Sequence, residues 1–373
     1  MQKLFFLIAA LFLFCHALNG QNPILVDHNC RALSQIPAAW IDSAKNKLFI
    51  AYGHTSHGSQ LTTGMDALES YYPDGQYDWS HAGGTSELHL FEGAGYDDGY
   101  LELDCGRTGW DDETRQYLDD FPECNVMIWS WCGQVNEVDL QSHYLDPMAR
   151  LEADYPEVTF VYMTGHLEGL GPDGSLFQAN QQIRDYCKTH NKVLYDFADI
   201  EKYSPAADTN YQEYFADDGL NYDPDGLEPY ERTRNWAEIW INKHPDHELT
   251  EMSQQCGRCA HSEELNCVLK GMASWWLWAR IAGWEGTSAT RLPPTPPHEE
   301  KRFTVYAISN TLYLASEQPA RVRVSIVDML GRRIYDQNLN LKGTHTLSLD
   351  EYGLFIVILQ TPHQRFAYQI YLR

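Results

Sequence analysis

Short apolar runs alternate with longer amphipathic stretches in the part of this chain that precedes residue 288. The clearest strand-like runs lie at residues 47–52, 126–131, 159–164 and 192–197. Between them, residues 145–155 and 175–189 have the pattern of helices. Buried strands that alternate with helices are typical of a parallel sheet covered by helices on both faces. The alternation therefore predicts an α/β domain at residues 21–287, with its ligand site beyond the carboxyl ends of the strands.

The first strand-like run ends in a turn rich in Gly, His and Ser. This turn, residues 53–58, holds Ser56 between His54 and His57 and leads into a helix-like segment at 60–68. A strand, a sharp turn with a serine and a helix together make a nucleophile site, because the N–H groups of the helix N-terminus stabilise a developing oxyanion. Ser56 is therefore the candidate nucleophile. The alternative is an ordinary loop in which serine and histidine serve as turn and capping residues.

A serine nucleophile needs a base within reach. We expect His261 to be that base, since it stands directly before a strongly predicted helix whose return to the sheet edge brings it to Ser56. His166 ends another predicted strand and is the competitor, either as base or as a substrate contact. His54 and His57 are neighbours in the turn and point in different directions, so we expect them to support the turn or to contact the substrate.

The first residues, 1–20, combine one early lysine with a short apolar run and then small and polar residues. That composition predicts a secretory signal peptide. Phe14 stands where a lipoprotein signal requires a small residue before Cys15, so we expect no lipid anchor. No later segment is apolar for long enough to cross a membrane. The sequence therefore predicts an exported protein, secreted or on the cell surface.

Eight cysteines follow the signal peptide, and all of them lie before residue 268. They are Cys30, Cys105, Cys124, Cys132, Cys187, Cys256, Cys259 and Cys267. An even number in an exported chain favours disulfides over free thiols, and the sequence leaves the connectivity open. Cys256, Cys259, His261 and Cys267 also resemble a zinc cluster. The disulfide interpretation is the stronger one, so we expect no metal and no other cofactor.

The chain holds 52 acidic and 27 basic residues, a balance that argues against nucleic acid or an anionic membrane surface as partner. It fits a neutral substrate. The 11 tryptophans and 23 tyrosines suit sugar stacking, although packing in the core is the more frequent use of aromatic residues. Residues 217–226 have the carboxylate density of a calcium loop without the EF-hand spacing, and a plain acidic turn is the favoured interpretation.

The composition changes at residues 288–300, a proline-rich stretch that predicts a stiff linker. After it, residues 301–373 alternate apolar and polar positions and carry turn residues at short intervals. Seven short strands are predicted, at residues 303–308, 311–315, 320–327, 333–338, 343–349, 354–360 and 366–372. This pattern indicates a small C-terminal β-sandwich, and no motif in it suggests catalysis.

The turn sequence Tyr52-Gly-His-Thr-Ser-His-Gly58 resembles the first block of the SGNH/GDSL hydrolase superfamily, in the variant in which His-X-Ser-X-Gly replaces Gly-Asp-Ser-Leu. The resemblance covers about residues 45–285 and implies a flavodoxin-like parallel sheet with helices on both faces. It matches Ser56 to the nucleophile, whose own N–H helps to form the oxyanion hole. The further oxyanion donors that it matches are Gly84 and, approximately, Gln134 or Asn136.

The same resemblance matches His261 to the base that opens the last helix. One position departs from the family, because Arg258 stands three residues before the histidine, where the triad aspartate is usual. The orienting acid is then Asp196, Asp199 or Asp246, or the enzyme is a Ser-His dyad. The resemblance implies an exported esterase that removes acyl groups from a polysaccharide or glycoside. The alternatives are a noncatalytic glycan-binding or cell-surface protein that keeps the fold, and a metal-dependent hydrolase that uses the cysteine and histidine cluster.

Three segments of the C-terminal region resemble the type IX secretion C-terminal sorting domain of Bacteroidetes. They are residues 324–335, 347–359 and 368–373. The resemblance implies export through the periplasm and passage across the outer membrane, with the secretion machinery as partner, followed by release or attachment to the cell surface. The alternative is a generic accessory or carbohydrate-binding β-sandwich.

Overall fold

The computed structural model describes the chain in nine stretches. They are residues 23–84, 86–93, 99–227, 230–286, 303–308, 311–328, 332–349, 352–361 and 365–372. The predicted signal peptide at 1–20 and the predicted linker at 288–300 lie outside the described residues. The chain divides into two compact units near residue 290, and each unit is described by itself.

The described residues of the first unit form a seven-stranded sheet in which every pairing is parallel. The strands are β1 (Ile24–Val26), β2 (Phe49–Gly53), β3 (Trp79–Ser80), β4 (Leu88–Glu92), β5 (Val126–Trp129), β6 (Thr159–Met163) and β7 (Val193–Tyr195). Their spatial order is β1-β7-β6-β5-β2-β4-β3. The predicted parallel α/β sheet is confirmed. Because β4 and β5 lie on opposite sides of β2, the order along the sheet reverses at β2, and such a point is where ligands bind in parallel sheets.

Helices surround this sheet. The described helices are α1 (Ala38–Lys47), α2 (Ser59–Tyr71), α3 (Trp110–Asp120), α4 (Asp146–Asp154), α5 (Ser175–Thr189), α6 (Phe197–Glu201), α7 (Trp236–Lys243), α8 (Glu248–Gln255) and α9 (Glu264–Ile281). Shorter 3-10 segments lie at Leu33–Gln35, Gly171–Asp173 and Tyr211–Tyr214, a π-helical turn lies at Gln141–Leu145, and a small antiparallel pair joins β8 (Asn221–Tyr222) to β9 (Arg234–Asn235). No helix among the described residues is long and apolar enough to span a bilayer.

Two separate apolar cores explain why β2 is buried at every position. Successive side chains of a strand point to opposite faces. In β2, Ile50 and Tyr52 belong to the core that also holds α2 and α9, whereas Phe49 and Ala51 belong to the core that holds α3, α4 and α5. The sheet is therefore covered on both faces, as a parallel sheet requires.

Helices α2 and α9 touch through their backbones, and this contact positions the loop before α9. A Cβ atom on Gly64 of α2 would lie 1.8 Å from the carbonyl oxygen of Cys267, and one on Gly271 of α9 would lie 2.3 Å from the carbonyl carbon of Gly64. Only glycine at both positions permits so close an approach. The N-terminal ends of the two helices consequently lie side by side at the carboxyl edge of the sheet.

The second unit is an antiparallel β region. Its described strands are β10 (Phe303–Ile308), β11 (Thr311–Asp328), β12 (Arg333–Ser348), β13 (Gly353–Gln360) and β14 (Arg365–Leu372). The prediction of seven short strands is wrong in this described part, because β11 and β12 each join two predicted strands. The register of the pair shifts between Ser316 and Ala320, next to Gly343 with its φ of +70°, and both strands continue past this point.

Candidate active site

The turn after β2 is held so tightly that Ser56 is presented to solvent. A Cβ atom on Gly53 would lie 2.3 Å from the ring of Trp129, and one on Gly58 would lie 2.4 Å from Ser130 Oγ. The hydroxyl of Tyr52 donates a hydrogen bond to the carbonyl of Gly58 across the turn, at 2.9 Å. Both glycines are therefore required by close packing, and the serine between them is left exposed at the sheet edge.

Ser56 lies within hydrogen-bonding distance of His261. The separation between Ser56 Oγ and His261 Nε2 is 3.0 Å, although 205 positions separate the two residues along the chain. Three features hold His261 there: the crossing of α2 and α9, a hydrogen bond from the Gln60 amide to the carbonyl of Ala260, and the disulfide between Cys259 and Cys267. The structure thus brings together the two residues that the sequence predicts as nucleophile and base.

His57 makes two hydrogen bonds that the sequence did not reveal. Its Nδ1 lies 3.3 Å from Cys132 Sγ, and its Nε2 lies 3.0 Å from Asp218 Oδ2. Cys132 Sγ also lies 3.1 Å from Ser56 Oγ. Cys132 follows β5 and Asp218 lies in the acidic turn at 217–226, so three loops meet at this point. The order thiol, imidazole, carboxylate is the arrangement of a cysteine nucleophile with its acid-base partner and orienting acid.

The hydrogen bonds decide the charges in this cluster. The bond from His57 lowers the pKa of the Cys132 thiol to about 6, against an opposing contribution from burial. Burial alone would lower the pKa of His57, but its bonds to Asp218 and Cys132 outweigh burial and raise that pKa to about 9. Burial favours the neutral form of Asp218, but the hydrogen bond from His57 outweighs burial and lowers the pKa of Asp218. At neutral pH the cluster is therefore a thiolate, an imidazolium and a carboxylate.

His261 differs from His57 in charge. Burial, and next the positive charge of His57, lower the pKa of His261 below its usual 6.5. The ring is therefore neutral at neutral pH, and its Nε2 is able to accept the proton of Ser56. A neutral imidazole in contact with a hydroxyl is what general-base catalysis requires.

Three imidazole rings form a stack in which His57 lies in the middle. Its ring centroid is 4.4 Å from that of His166 and 4.2 Å from that of His261, with interplanar angles of 8° and 10°. His57, Asp218 and His261 have ligand atoms within 4.8 Å of one another, which is a spacing compatible with a metal site. However, the nitrogen lone pairs lie in the ring planes, and nearly parallel planes direct them to no common point. As arranged, the stack does not form a metal-binding set.

Besides the Ser56 N–H, three residues are matched to oxyanion donors, and of these the structure brings only Gln134 near the cluster. Its Oε1 accepts the N–H of Cys132 at 3.2 Å. The side chain of Asn136 donates instead to Ser175 Oγ at 2.8 Å, in a separate surface pocket. Gly84 lines a pocket with Lys45 and other residues that precede β2, β4 and β5, so it lies at the amino edge of the sheet and not near Ser56. The match of Gly84 and Asn136 to oxyanion donors is therefore not seen.

The other predicted histidines take supporting positions. His54 is buried, with its Nε2 3.0 Å from Glu92 Oε2 and its Nδ1 2.9 Å from the carbonyl of Thr55. It therefore anchors the turn to β4 and does not face Ser56. His166 Nδ1 lies 2.6 Å from the carbonyl of Leu167, which leaves its other nitrogen directed towards the loop after β5.

The three aspartates considered as orienting acid lie elsewhere. Asp196 binds the Arg184 guanidinium at 2.7 Å, and Asp199 binds His28 at 2.5 Å. Asp246 is an exposed residue between α7 and α8. The carboxylate at the histidine stack is Asp218, which comes from a loop without periodicity. Many acidic residues surround Asp218 in the sequence. The one feature that could have indicated its role was the clustering of carboxylates at 217–226.

The expectation that the eight cysteines pair as disulfides is wrong for six of them. Cys259 and Cys267 form a disulfide, so two of the four residues that resemble a zinc cluster are not thiols. The remaining six are thiols in the structure, four of them buried. Several sit apart in the core, where a cysteine packs as a small apolar residue. For example, Cys105 Sγ donates to the carbonyl of Ser130 at 2.9 Å.

No family model matches the chain, and no curated protein matches it. Among solved structures, it is similar to a DUF3244 family protein with an immunoglobulin-like β-sandwich fold from Bacteroides vulgatus ATCC 8482. That match has 16% identity and a TM-score of 0.18, and it covers 19% of this chain and 84% of the other. An engineered protein matches at 11% identity and a TM-score of 0.20, with 85% and 60% covered. An FMN-binding β-glucuronidase from Facaelibacterium prausnitzii L2-6 matches at 8% identity and a TM-score of 0.21, with 87% and 46% covered. These low scores carry no conclusion about fold or function.

Proposed function

We propose that this chain is a serine hydrolase of the SGNH type that cleaves esters, with Ser56 as nucleophile and His261 as general base. The observation that carries the proposal is the 3.0 Å separation between Ser56 Oγ and His261 Nε2 at the carboxyl edge of a parallel sheet. The strand order supports it, because β4-β2-β5-β6-β7 follows the flavodoxin-like order 2-1-3-4-5.

The reaction begins with a proton transfer. The neutral His261 accepts the Ser56 proton at Nε2 while Ser56 Oγ attacks the acyl carbon. Negative charge develops on the carbonyl oxygen, next to the Ser56 N–H and the N-terminal end of α2. His261 then returns the proton to the leaving alcohol, and water repeats the sequence to release the acid.

His57 supplies a fixed positive charge behind the reacting atoms. Its imidazolium is held by Asp218 on one side and by Cys132 on the other, at 3.0 and 3.3 Å. The thiolate and the carboxylate on either side offset this charge, so the three groups together carry one negative charge. The effect that we assign to His57 is on His261: burial, and next the neighbouring positive charge, lower the pKa of that ring and keep it neutral.

An acyl group on a polysaccharide or glycoside is the substrate that we propose. Ser56 and His261 are both exposed, so a large substrate has access to them. The acidic balance of the chain suits a neutral glycan rather than a polyanion. We further propose export through the periplasm, with the C-terminal β region as a β-sandwich sorting domain recognised by the outer-membrane secretion machinery.

Hydrolysis of p-nitrophenyl acetate and of acetylated xylan tests the proposal. We expect Ser56→Ala to lower kcat/KM by about 10³-fold or more, since the nucleophile is lost. Ser142→Ala is the matched control, because Ser142 is an exposed serine in the π-helical turn Gln141–Leu145, where its hydroxyl donates to Asp139. Unfolding temperatures of both variants check that folding is intact. Equal rates in Ser56→Ala and the native protein would overturn the proposal and favour a noncatalytic glycan-binding protein.

A further inference from the structure

Cys132 forms and breaks no bond in the proposed reaction, yet its sulfur lies between Ser56 and His57. Its sulfur lies 3.1 Å from Ser56 Oγ and 3.3 Å from His57 Nδ1. Asp218 orients His57 from the opposite side of the ring. This is the environment that activates cysteines, because a neighbouring imidazolium stabilises the thiolate, which is the nucleophilic form.

Among the described residues, no other thiol is hydrogen-bonded to an imidazole. Cys30 donates to the carbonyl oxygen of Leu25 and to Asp27 Oδ1. Cys105, Cys124 and Cys256 donate to the backbone carbonyl oxygens of Ser130, Val126 and Thr63. Burial favours their neutral form, as it does for Cys187. Cys256 is the closest comparison with Cys132, because both are half-buried and only Cys132 contacts an imidazole.

We propose that Cys132 is a modification site for small disulfides and other thiol-directed electrophiles, and that capping of its sulfur shuts the Ser56–His261 site. The first half stands on the Cys132, His57 and Asp218 geometry alone. The second half rests on the proposed hydrolase function.

The chemistry of capping requires only the thiolate and the reagent. With methyl methanethiosulfonate, Cys132 Sγ attacks the methylthio sulfur, a new sulfur–sulfur bond forms, and methanesulfinate leaves with the electron pair of the broken bond. His57 keeps its proton throughout. With a small disulfide the leaving group is a thiolate, and a second thiol reverses the reaction.

Capping would close the site for a steric reason. Ser56 Oγ lies only 3.1 Å from the unmodified Cys132 Sγ, so a methylthio group on this sulfur would collide with it. His57 lies on a second side of Sγ, with Asp218 behind it. The added group therefore displaces either the Ser56 hydroxyl or the acyl group that approaches it.

Labelling with methyl methanethiosulfonate, followed by peptide mass spectrometry, tests the first half. At pH 7 we expect Cys132 to be labelled at least tenfold faster than Cys256. His57→Gln and Asp218→Asn should each reduce this preference, whereas Ser56→Ala, which is inactive under the proposed function, should retain it. Equal labelling of Cys132 and Cys256 in the folded native protein would overturn the modification site.

Hydrolysis of p-nitrophenyl acetate by the labelled protein tests the second half. We expect labelling to lower the rate by at least tenfold and 2-mercaptoethanol to restore it, with unlabelled protein given the same thiol as the control. Full labelling of Cys132 with an unchanged rate would overturn the closure of the site. If the native protein has no activity, the proposed function fails, and the labelling result still decides whether Cys132 is a modification site.

Discussion

Two groups of residues share the candidate site and differ in exposure and in charge. The outer pair, Ser56 and His261, is exposed and neutral. The carboxylate of Asp218 is hydrogen-bonded to His57 and not to His261. The inner chain, Cys132, His57 and Asp218, is more buried and fully charged at neutral pH. The inner chain has the stronger acid-base activation, whereas the outer pair has the better access. The comparison shows that activation and access need not belong to the same nucleophile.

The largest expected effect is the loss of the outer base. We expect His261→Ala to lower kcat/KM for p-nitrophenyl acetate by about 10²- to 10⁴-fold, the usual contribution of a general base. His166→Ala removes the competing histidine on the other face of His57 and should lower the rate by less than about tenfold. Equal losses in the two variants would contradict the assignment of His261 as the base.

The next effect concerns the helix crossing that places His261. We expect Gly271→Ala to destabilise the protein by about 1–3 kcal/mol or more, because the added Cβ meets backbone atoms of α2 and the two helices must separate. Gly257→Ala is the control, since the nearest atom to its added Cβ is a methyl carbon of Thr63 at 3.7 Å. Urea unfolding measures the stability, and similar results for both variants would contradict the close packing described for α2 and α9.

The inner chain is tested through the ionisation of Cys132. Asp218→Asn removes the carboxylate that stabilises the His57 imidazolium, so we expect the pKa of Cys132 to rise above about 6. The thiolate absorbance at 240 nm measures this titration. Asp217→Asn is the matched control, because Asp217 binds Arg232 rather than His57. A midpoint that is the same in Asp218→Asn and in the native protein would show that Asp218 does not act on Cys132.

The smallest expected effect is a change in how stability depends on pH. Folding lowers the pKa of Cys132 to about 6 and raises that of His57 to about 9. Between about pH 6.5 and pH 9 the thiol releases a proton on folding and His57 takes one up, so the two contributions to the pH dependence cancel.

Cys132→Ser removes one of these contributions. His57 is still bound to Asp218, and its pKa in the folded protein is still raised. Protonated His57 then stabilises the fold fully below pH 6.5, and this stabilisation is lost as the pH rises towards the pKa of the folded protein. We expect the free energy of unfolding of Cys132→Ser to fall as the pH rises. The fall should exceed that of the native protein by up to about 1 kcal/mol per pH unit. Urea unfolding at pH 7 and 8.5 measures the difference, and parallel pH dependences would contradict the ion pair.

The outer pair was predictable because each member stands next to an element that the sequence marks clearly. Ser56 follows a fully apolar strand, and His261 precedes a long helix with an evident start. The inner chain was not predictable, because Asp218 comes from a long polar loop without periodicity. The positions of such loops depend on tertiary contacts, here the bond between Asp218 and His57.

Gly84 shows the limit of a match made on a short motif. It was matched to an oxyanion donor by resemblance alone, and the clear strand-like runs of the sequence do not include residues 88–92. In the structure it lies in the connection between β3 and β4, beside residues that precede β2, β4 and β5. A short motif does not determine at which edge of the sheet its residues lie, because the chain returns across the sheet between one parallel strand and the next.

The central claim is that the exposed Ser56, and not the thiolate beside it, is the residue that attacks the substrate. A fluorophosphonate reports this directly, because an activated nucleophile displaces its fluoride and keeps the phosphonyl group. Peptide mass spectrometry of the treated native protein then identifies the modified residue. We predict phosphonylation of Ser56 that is lost in His261→Ala, whereas phosphonylation of Cys132, or none at Ser56, would contradict the account.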